Sequence, residues 1–425
     1  MQEDFLHYIW RYKKFDISKI KTTCDETISI VSVGEYNQNT GPDFFNAQLK
    51  IDKQFWAGNV EIHVKSSDWF LHNHETDSNY DNVILHVVWE HDTDVYRKDN
   101  SMIPVLELKQ YVSKNALKTY ERLFSKSQKW INCEHEFSLV NDFTLKNWLE
   151  RLYFERLERK SEGVNQFLKN SKNDWEAVLF AMLAKNFGLK VNGDAFLSLA
   201  KSIDFAIIRK LQSNQTALEA LFFGQAGMLE DDVQDSYYLN LTKEYQFFKH
   251  KFGLSNQNVM PVQFFRLRPL NFPTIRLSQL ASLYHSHQNL FSKVIELQSK
   301  NEFYDLFSVG TSPFWENHFT FQKVSKASKK TISKAFVDLL LINTIIPIKF
   351  SYALYLGKQI DDDIVTLVQE IASEKNSIVE KFNELKPVSS SALQSQALIQ
   401  LKNDYCGKNK CLQCAIGNEI LTGNH

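Results

Sequence analysis

The sequence predicts an α+β protein: an N-terminal mixed-sheet α/β domain over residues 1–125, then a large, mostly α-helical domain over 126–425. Two observations carry this. Short β-branched or alternating runs are concentrated in the first quarter of the chain. From about Thr144 onward apolar residues recur at helical spacing, with no strand run of comparable strength.

Taken in order, Phe5–Tyr12 (FLHYIWRY) reads as a short aromatic helix behind Glu3 and Asp4. Ile28–Val33 alternates and is β-branched, so it is a strand, and Gly34–Pro42 is a turn-rich loop. Phe44–Ile51 and Phe55–Val64 form a hairpin around Asp52-Lys53. Val83–Trp89 (VILHVVW) is nearly continuous in apolar residues and suits a buried central strand, and Val105–Leu108 adds another. Helical periodicity then marks 147–160, 175–187, 192–202, 203–223, 237–252, 277–299, 332–355, 361–382 and 391–404. Gly224-Gln225-Ala226-Gly227 reads as a helix C-terminus, since no Lys-Ser/Thr follows to make a phosphate loop.

The chain has 425 residues, 43% apolar, with 32 Phe, which is ample for a core. Ala335–Leu356 is the most apolar stretch, but Asp338, Asn343, Pro347 and Lys349 interrupt it, so a buried helix is expected and no membrane span. The acidic Met1-Gln2-Glu3-Asp4 lacks the apolar core of a signal peptide, and a cytoplasmic protein is expected. A net charge of −1 argues against a broadly cationic nucleic-acid binder. Residues 1–110 are acidic, with 11 Lys/Arg against 18 Asp/Glu. The balancing charge includes Lys323, Lys326, Lys329, Lys330 and Lys334, expected as a solvated face.

Chemistry concentrates in residues 41–91. Asp43 follows Pro42, and Glu61 opens Glu61-Ile62-His63-Val64-Lys65. Alternate strand residues share a face, so Glu61, His63 and Lys65 point one way while Ile62 and Val64 face a core. Asp43, Glu61 and the Ile62 carbonyl offer oxygen ligands for Mg²⁺ or Mn²⁺. Lys65 or a protonated His63 would stabilise developing negative charge, and a neutral His63 would serve as base. Six of twelve histidines lie in the first 110 residues. An imidazole-rich site of His63, His72 and His74, with Asp77 or Asp43, is the rival, and it would favour Zn²⁺ or Mn²⁺. His86, inside the buried run, is either a neutral core residue or part of the same groove.

Two further constellations stand out. Cys406-x4-Cys411-x2-Cys414 is spaced for a metal, with Cys133 or His135 as fourth ligand and Cys24 a poorer candidate. Zn²⁺, a [4Fe–4S] cluster and free thiols all remain open. Arg266, Arg268 and Arg276 alternate with aromatics and prolines, a pattern that can hold DNA or RNA phosphates or can simply pair with acids between helices.

The segments GPDFFNAQL (41–49), GNVEIHVKSSDW (58–69), NVILHVVW (82–89), LFFGQAGML (221–229), FRLRPLNFPTIRLSQLA (265–281) and the cysteine tail (395–417) resemble a bacterial domain-of-unknown-function family along nearly the full chain. That resemblance implies no activity. The N-terminal block also resembles the PD-(D/E)xK phosphodiesterase superfamily. This second resemblance implies a restriction-endonuclease-like domain, with Asp43 and Glu61 as metal ligands and Glu3 or Glu35 as a further acid. It departs from the pattern where His63 stands at the lysine position and Lys65 lies two residues on. The cysteine arrangement resembles that of iron–sulfur nucleases in the same superfamily. The expected function is metal-dependent cleavage of nucleic-acid phosphodiesters. The alternatives are a non-catalytic nucleic-acid-binding or scaffold protein on the same fold, and a His/Zn²⁺ hydrolase of a small substrate.

Overall fold

The alternating runs between Ile28 and Glu107 fold into one mixed six-stranded sheet. The structure, a computed structural model, describes residues 2–37, 39–125, 129–358 and 362–423. Helix α1 (Glu3–Arg11) precedes β1 (Ile28–Ser32), β2 (Glu35–Tyr36), β3 (Phe44–Ile51) and β4 (Gln54–Lys65). A short helix α2 (Asp68–Leu71) leads to β5 (Val83–Glu90) and β6 (Val105–Glu107). The sheet order is β1-β3-β4-β5-β6, with β2 pairing on β3. β3 runs antiparallel to β1, β2 and β4, whereas β4–β5 and β5–β6 are parallel. The expected hairpin turn falls at Asp52-Lys53, where Asp52 adopts φ 49° and its carboxylate accepts from the Thr27 N–H at 2.8 Å.

A bulge in β3 sets which residues face each other. Ala47 pairs with Gly58 and Leu49 with Trp56, but Phe44 pairs with Val60, one step out of that register. Asn46 takes up the slip in the left-handed region, at φ 55°. Without the slip Asp43 would lie across from Ile62. With it Asp43 falls across from Glu61, and opposite residues of an antiparallel pair share a face.

β5 is buried along Val83–Val88. Its Val83 and Val88 join Trp69, Tyr80, Val95, Ile103 and Val105 in one apolar cluster. In the parallel pairing His86 lies beside Glu61 and Val88 beside His63, so the chemistry-bearing face of β4 continues onto β5.

The remainder is helical, as expected, from α3 (Lys114–Leu123) and the 29-residue α4 (Asp142–Asn170) to the C-terminus. Several long periodic stretches are broken by caps. The 203–223 stretch becomes Phe205–Leu211 and Gln215–Gln225, with the Asn214 side chain accepting from the Ala217 N–H. The 277–299 stretch becomes Pro273–Ser286 and Leu290–Glu296, parted at Asn289, φ 52°. A small hairpin, His318–Thr320 with Lys323–Val324, was not expected. The helix C-terminus expected at 224–227 is there: Gln215–Gln225 ends at Ala226 and Gly227 takes a positive φ of 69°, while Gly224 lies inside the helix against the Tyr245 ring. Lys334–Tyr355 is long and apolar enough to cross a membrane, but 61% of its most apolar window is buried inside the protein.

By packing, the chain divides into two units. One holds Met1–Leu149, Lys381–Pro387 and Ile399–His425; the other holds Glu150–Glu380 and Val388–Leu398. In the second unit Glu219 is fully buried and accepts hydrogen bonds from Ser278 Oγ and, at 2.7 Å, from Tyr237 OH. Burial outweighs those bonds and pushes its carboxyl from 4.5 up to about 7. The folded state therefore binds this proton more tightly than the unfolded chain. The stability tied to it is full below pH 4.5 and is lost as pH rises through about 7. A shift of that size corresponds to about 3 kcal/mol. Glu219→Gln is expected to remove this decline, so that denaturant midpoints of variant and parent diverge between pH 5 and 8 in the variant's favour.

A histidine-rich candidate metal centre

Glu61 and His63 sit next to each other on one face of β4, and both are buried, at 5% and 2% exposure. The bulge brings Asp43 to the same place. The Asp43 N–H donates to Glu61 Oε2 at 3.1 Å, and Asp43 Oδ2 accepts from the Ile62 N–H at 2.9 Å. The two carboxylates are thus cross-tied through the backbone. Burial, and then the neighbouring Asp43 charge, push the Glu61 carboxyl well above the usual carboxylate range.

The loop after β4 supplies more imidazoles. Ser66 Oγ and the Ser67 N–H donate to Asp92 and start α2, whose Trp69 is fully buried. Asn73 adopts φ 59°, a conformation Asn tolerates, and this turns the chain so that His72 and His74 face one point. The His74 ring stacks on Tyr80 at 3.7 Å and meets the Trp69 edge at 5.3 Å. His86 lies 5.4 Å from the same Trp69 ring.

The distances define a ligand set. His63 Nε2 is 3.1 Å from His72 Nδ1 and 3.5 Å from Glu61 Oε1, and His74 Nε2 is 3.3 Å from the same oxygen. Ligand nitrogens of His63, His72 and His74 all lie within 4.8 Å of one another. Ligands about 2.0–2.1 Å from one tetrahedral zinc stand roughly 3.3 Å apart. His63, His72 and His74 come within reach of one ion, and Glu61 Oε1 lies beside two of them, His63 and His74. His74 Nε2 is also buried without an aligned hydrogen-bond partner, as a metal-facing nitrogen would be. The three imidazoles could hold one ion, with Glu61 beside them.

The surroundings hold the imidazoles ready. Burial and the neighbouring His86, His74 and His72 press the His63 pKa down to about 2, and burial presses His86 to about 3. Both are neutral at ordinary pH, the form in which imidazole binds metal. His63 Nδ1 meets His86 Nε2 at 2.9 Å. With Nε2 of His63 facing the ion, Nδ1 carries the proton and donates it to His86, which fixes the ring.

His7 of α1 is a member that the sequence reading did not place. Its Nε2 is 3.1 Å from Asp43 Oδ2. Burial lowers its pKa, but the Asp43 hydrogen bond and charge, with Glu3 and Glu61, outweigh that and raise it. Glu3, one turn earlier, has its own carboxyl raised by burial and by Asp43. The available signal was Glu3-x3-His7, an acid and a base on one face of a helix leading into the sheet.

The structure brings together Asp43, Glu61, His63, His72, His74 and His86, and separates the others. Lys65 is exposed at the end of β4, beside Glu90. Asp77 instead accepts from the Asn79 N–H and caps a short turn, and Glu35 is exposed on β2. Arg276 is buried, bonded to Gln279 and Asn271 over the Phe336 ring, so its guanidinium is not a surface group for phosphates. Arg266 and Arg268 are exposed.

Cys133, Cys406, Cys411 and Cys414 line one enclosed cavity with Phe137, Leu401 and Ile416. Cys24 and His135 are exposed. Gly417 is needed there, since a Cβ would strike the Cys411 carbonyl. Asn132 Nδ2 donates to Cys411 Sγ at 3.4 Å. Burial, then mutual repulsion, raises the Cys133, Cys406 and Cys414 thiols, so a bound cation is what would ionise them. The sulfurs converge less tightly than the imidazoles: among the described residues no three of them lie within 4.8 Å of one another. Four thiolates about 2.3 Å from a single zinc stand roughly 3.8 Å apart.

Replacing His86 by Phe keeps the core filled but removes the partner of His63. It is expected to weaken zinc binding by about 10–100-fold without unfolding the protein, as read by competition with a chromogenic chelator. Unchanged affinity would place the ion elsewhere.

No curated protein and no solved structure matches the chain. A family model described as a protein of unknown function, DUF2851, matches residues 3–377, a span that includes the whole histidine centre and Cys133 and stops before Cys406. The chain belongs to the DUF2851 family.

Proposed function

We propose that the protein is a transition-metal-dependent phosphodiesterase. The observation that carries this is the convergence of His63, His72 and His74 within reach of one ion, with Glu61 Oε1 beside His63 and His74. The donor set favours Zn²⁺ or Mn²⁺ over Mg²⁺, because imidazole outnumbers oxygen. The phosphodiester class rests on the order of elements. A helix, an antiparallel pair carrying Asp43 and Glu61, a helical crossover and a parallel strand support the PD-(D/E)xK reading.

When bound, the ion would polarise a phosphoryl oxygen and lower the pKa of a water. The residues of the chain do the rest. His63, His72 and His74 would hold the ion, and Glu61 would supply the negative charge that balances it. Asp43 keeps the cationic His7 beside the reacting group. That imidazolium replaces the superfamily lysine as the fixed positive charge facing a pentavalent phosphate. His72, the exposed member of the ligand set, marks the side from which substrate enters.

The burial of Glu61 and His63 favours a second reading, a scaffold or binding protein in which the same ion only braces the sheet. Hydrolysis of bis(p-nitrophenyl) phosphate by the Zn²⁺- or Mn²⁺-loaded protein separates the two. Glu61→Gln is expected to abolish turnover, and His7→Ala to lower kcat by about 10²–10³-fold, with circular dichroism unchanged. A loaded, folded protein that turns over no phosphodiester contradicts the enzyme reading.

At the cysteines the wider spacing favours a [4Fe–4S] cluster over a single zinc, in a structural role that fastens the chain end to the first unit. Protein purified without oxygen is expected to contain iron and acid-labile sulfide in equal amounts, lost together in Cys411→Ser. One zinc and no sulfide would assign a mononuclear site.

A further inference from the structure

A second cavity, of about 240 Å³, opens beside His7. One wall is α1 with Tyr36 of β2; the other is the cysteine segment from Lys408 to Gln413. Arg11, Lys408 and Lys410 line it, with Tyr12 and Tyr36. The Arg11 guanidinium lies 5.5 Å from the Tyr12 ring centre and 5.2 Å from that of Tyr36. His7 belongs to both places: its Nδ1 is 3.5 Å from Tyr36 OH, and its Nε2 is 3.1 Å from Asp43. One imidazole thus both lines the cavity and contacts Asp43 at the candidate centre.

Three cations against one acid, Asp4, line it, whereas the first 110 residues of the chain are acidic overall. Two of its three cations come from the far end of the sequence. Lys408 is paired with Asp404 at 2.7 Å, but its side chain is 55% exposed, and an exposed pair of this kind yields readily to a phosphate. Tyr8 OH donates to Asn418 Oδ1 at 2.6 Å, which ties α1 to the C-terminal helix and holds the two walls together. Cations track a phosphate backbone, and aromatic faces accept any base. The volume suits one nucleotide unit and is too small for a duplex.

We propose that this cleft binds single-stranded nucleic acid, with phosphates on Arg11, Lys408 and Lys410 and a base against Tyr12 or Tyr36, and delivers one phosphodiester past His7 to the metal centre. The proposal rests on the phosphodiesterase reading for its final step but not for binding. The cysteine loop, in this arrangement, is the wall that presents the two lysines.

The test is fluorescence anisotropy with a labelled oligothymidylate across a salt series, beside turnover of bis(p-nitrophenyl) phosphate. Lys408→Ala/Lys410→Ala is expected to weaken binding at least tenfold. It is also expected to flatten the slope of log affinity against log salt by about 1.4, the value for two lost single-strand phosphate contacts. Tyr12→Leu is expected to cost about tenfold with the slope unchanged. Turnover of the small diester, which needs no cleft, is expected to stay at the parental level in both variants. Parental oligonucleotide affinity in both variants would overturn the cleft while leaving the hydrolase reading intact. Expected binding losses with no small-diester turnover in the parent would keep the cleft and remove the hydrolase. Equal affinity for a duplex, lost equally in the variants, would overturn the single-strand assignment.

Discussion

A carboxylate buried at Glu61, beside a second one at Asp43, has to be neutralised, and the rest of the site follows from how. An isolated buried charge costs several kcal/mol. The imidazoles nearest Glu61, those of His74 and His63, are both pushed toward the neutral form by burial. The imidazole that Asp43 favours in its charged form is that of His7, 3.1 Å from Asp43 Oδ2. Glu61 therefore keeps either a proton, which its raised pKa reflects, or a metal ion. A proton on Oε1 could be donated to His74 Nε2, 3.3 Å away; in the proposed centre the metal takes that place.

This arrangement depends on backbone features that cost little in themselves. The slip at Asn46 turns Asp43 toward Glu61, and the left-handed Asn73 turns two histidines separated by one residue toward one point. Trp69 and Tyr80 then clamp the rings from behind. The C-terminal cysteine segment belongs to the same packed unit as the sheet, and the link from Tyr8 to Asn418 joins α1 to that end.

Much of this was legible in the sequence. Period-two alternation located the hairpin and grouped Glu61 with His63, and β3 does bury one face, but β4 is buried on both faces from Gly58 to His63. Clustering of His63, His72, His74 and His86 could be suspected from their density alone. Lys65 misled because alternation gives the face but not the depth: the strand leaves the core before it. Arg276 misled because composition cannot separate a phosphate ligand from a guanidinium stacked on a buried ring. The bulge could not be read, since Asn46 is an ordinary residue until its partner strand is known. His7 could not be placed either, since the α1–Asp43 contact is made only by tertiary packing.

The most direct measurement of the central claim is anomalous diffraction at the zinc edge from crystals of the zinc-loaded protein. The account predicts a peak about 2.0–2.2 Å from His63 Nε2, His72 Nδ1, His74 Nε2 and Glu61 Oε1. Zinc bound elsewhere in the same crystals, with no peak among these four atoms, would contradict it.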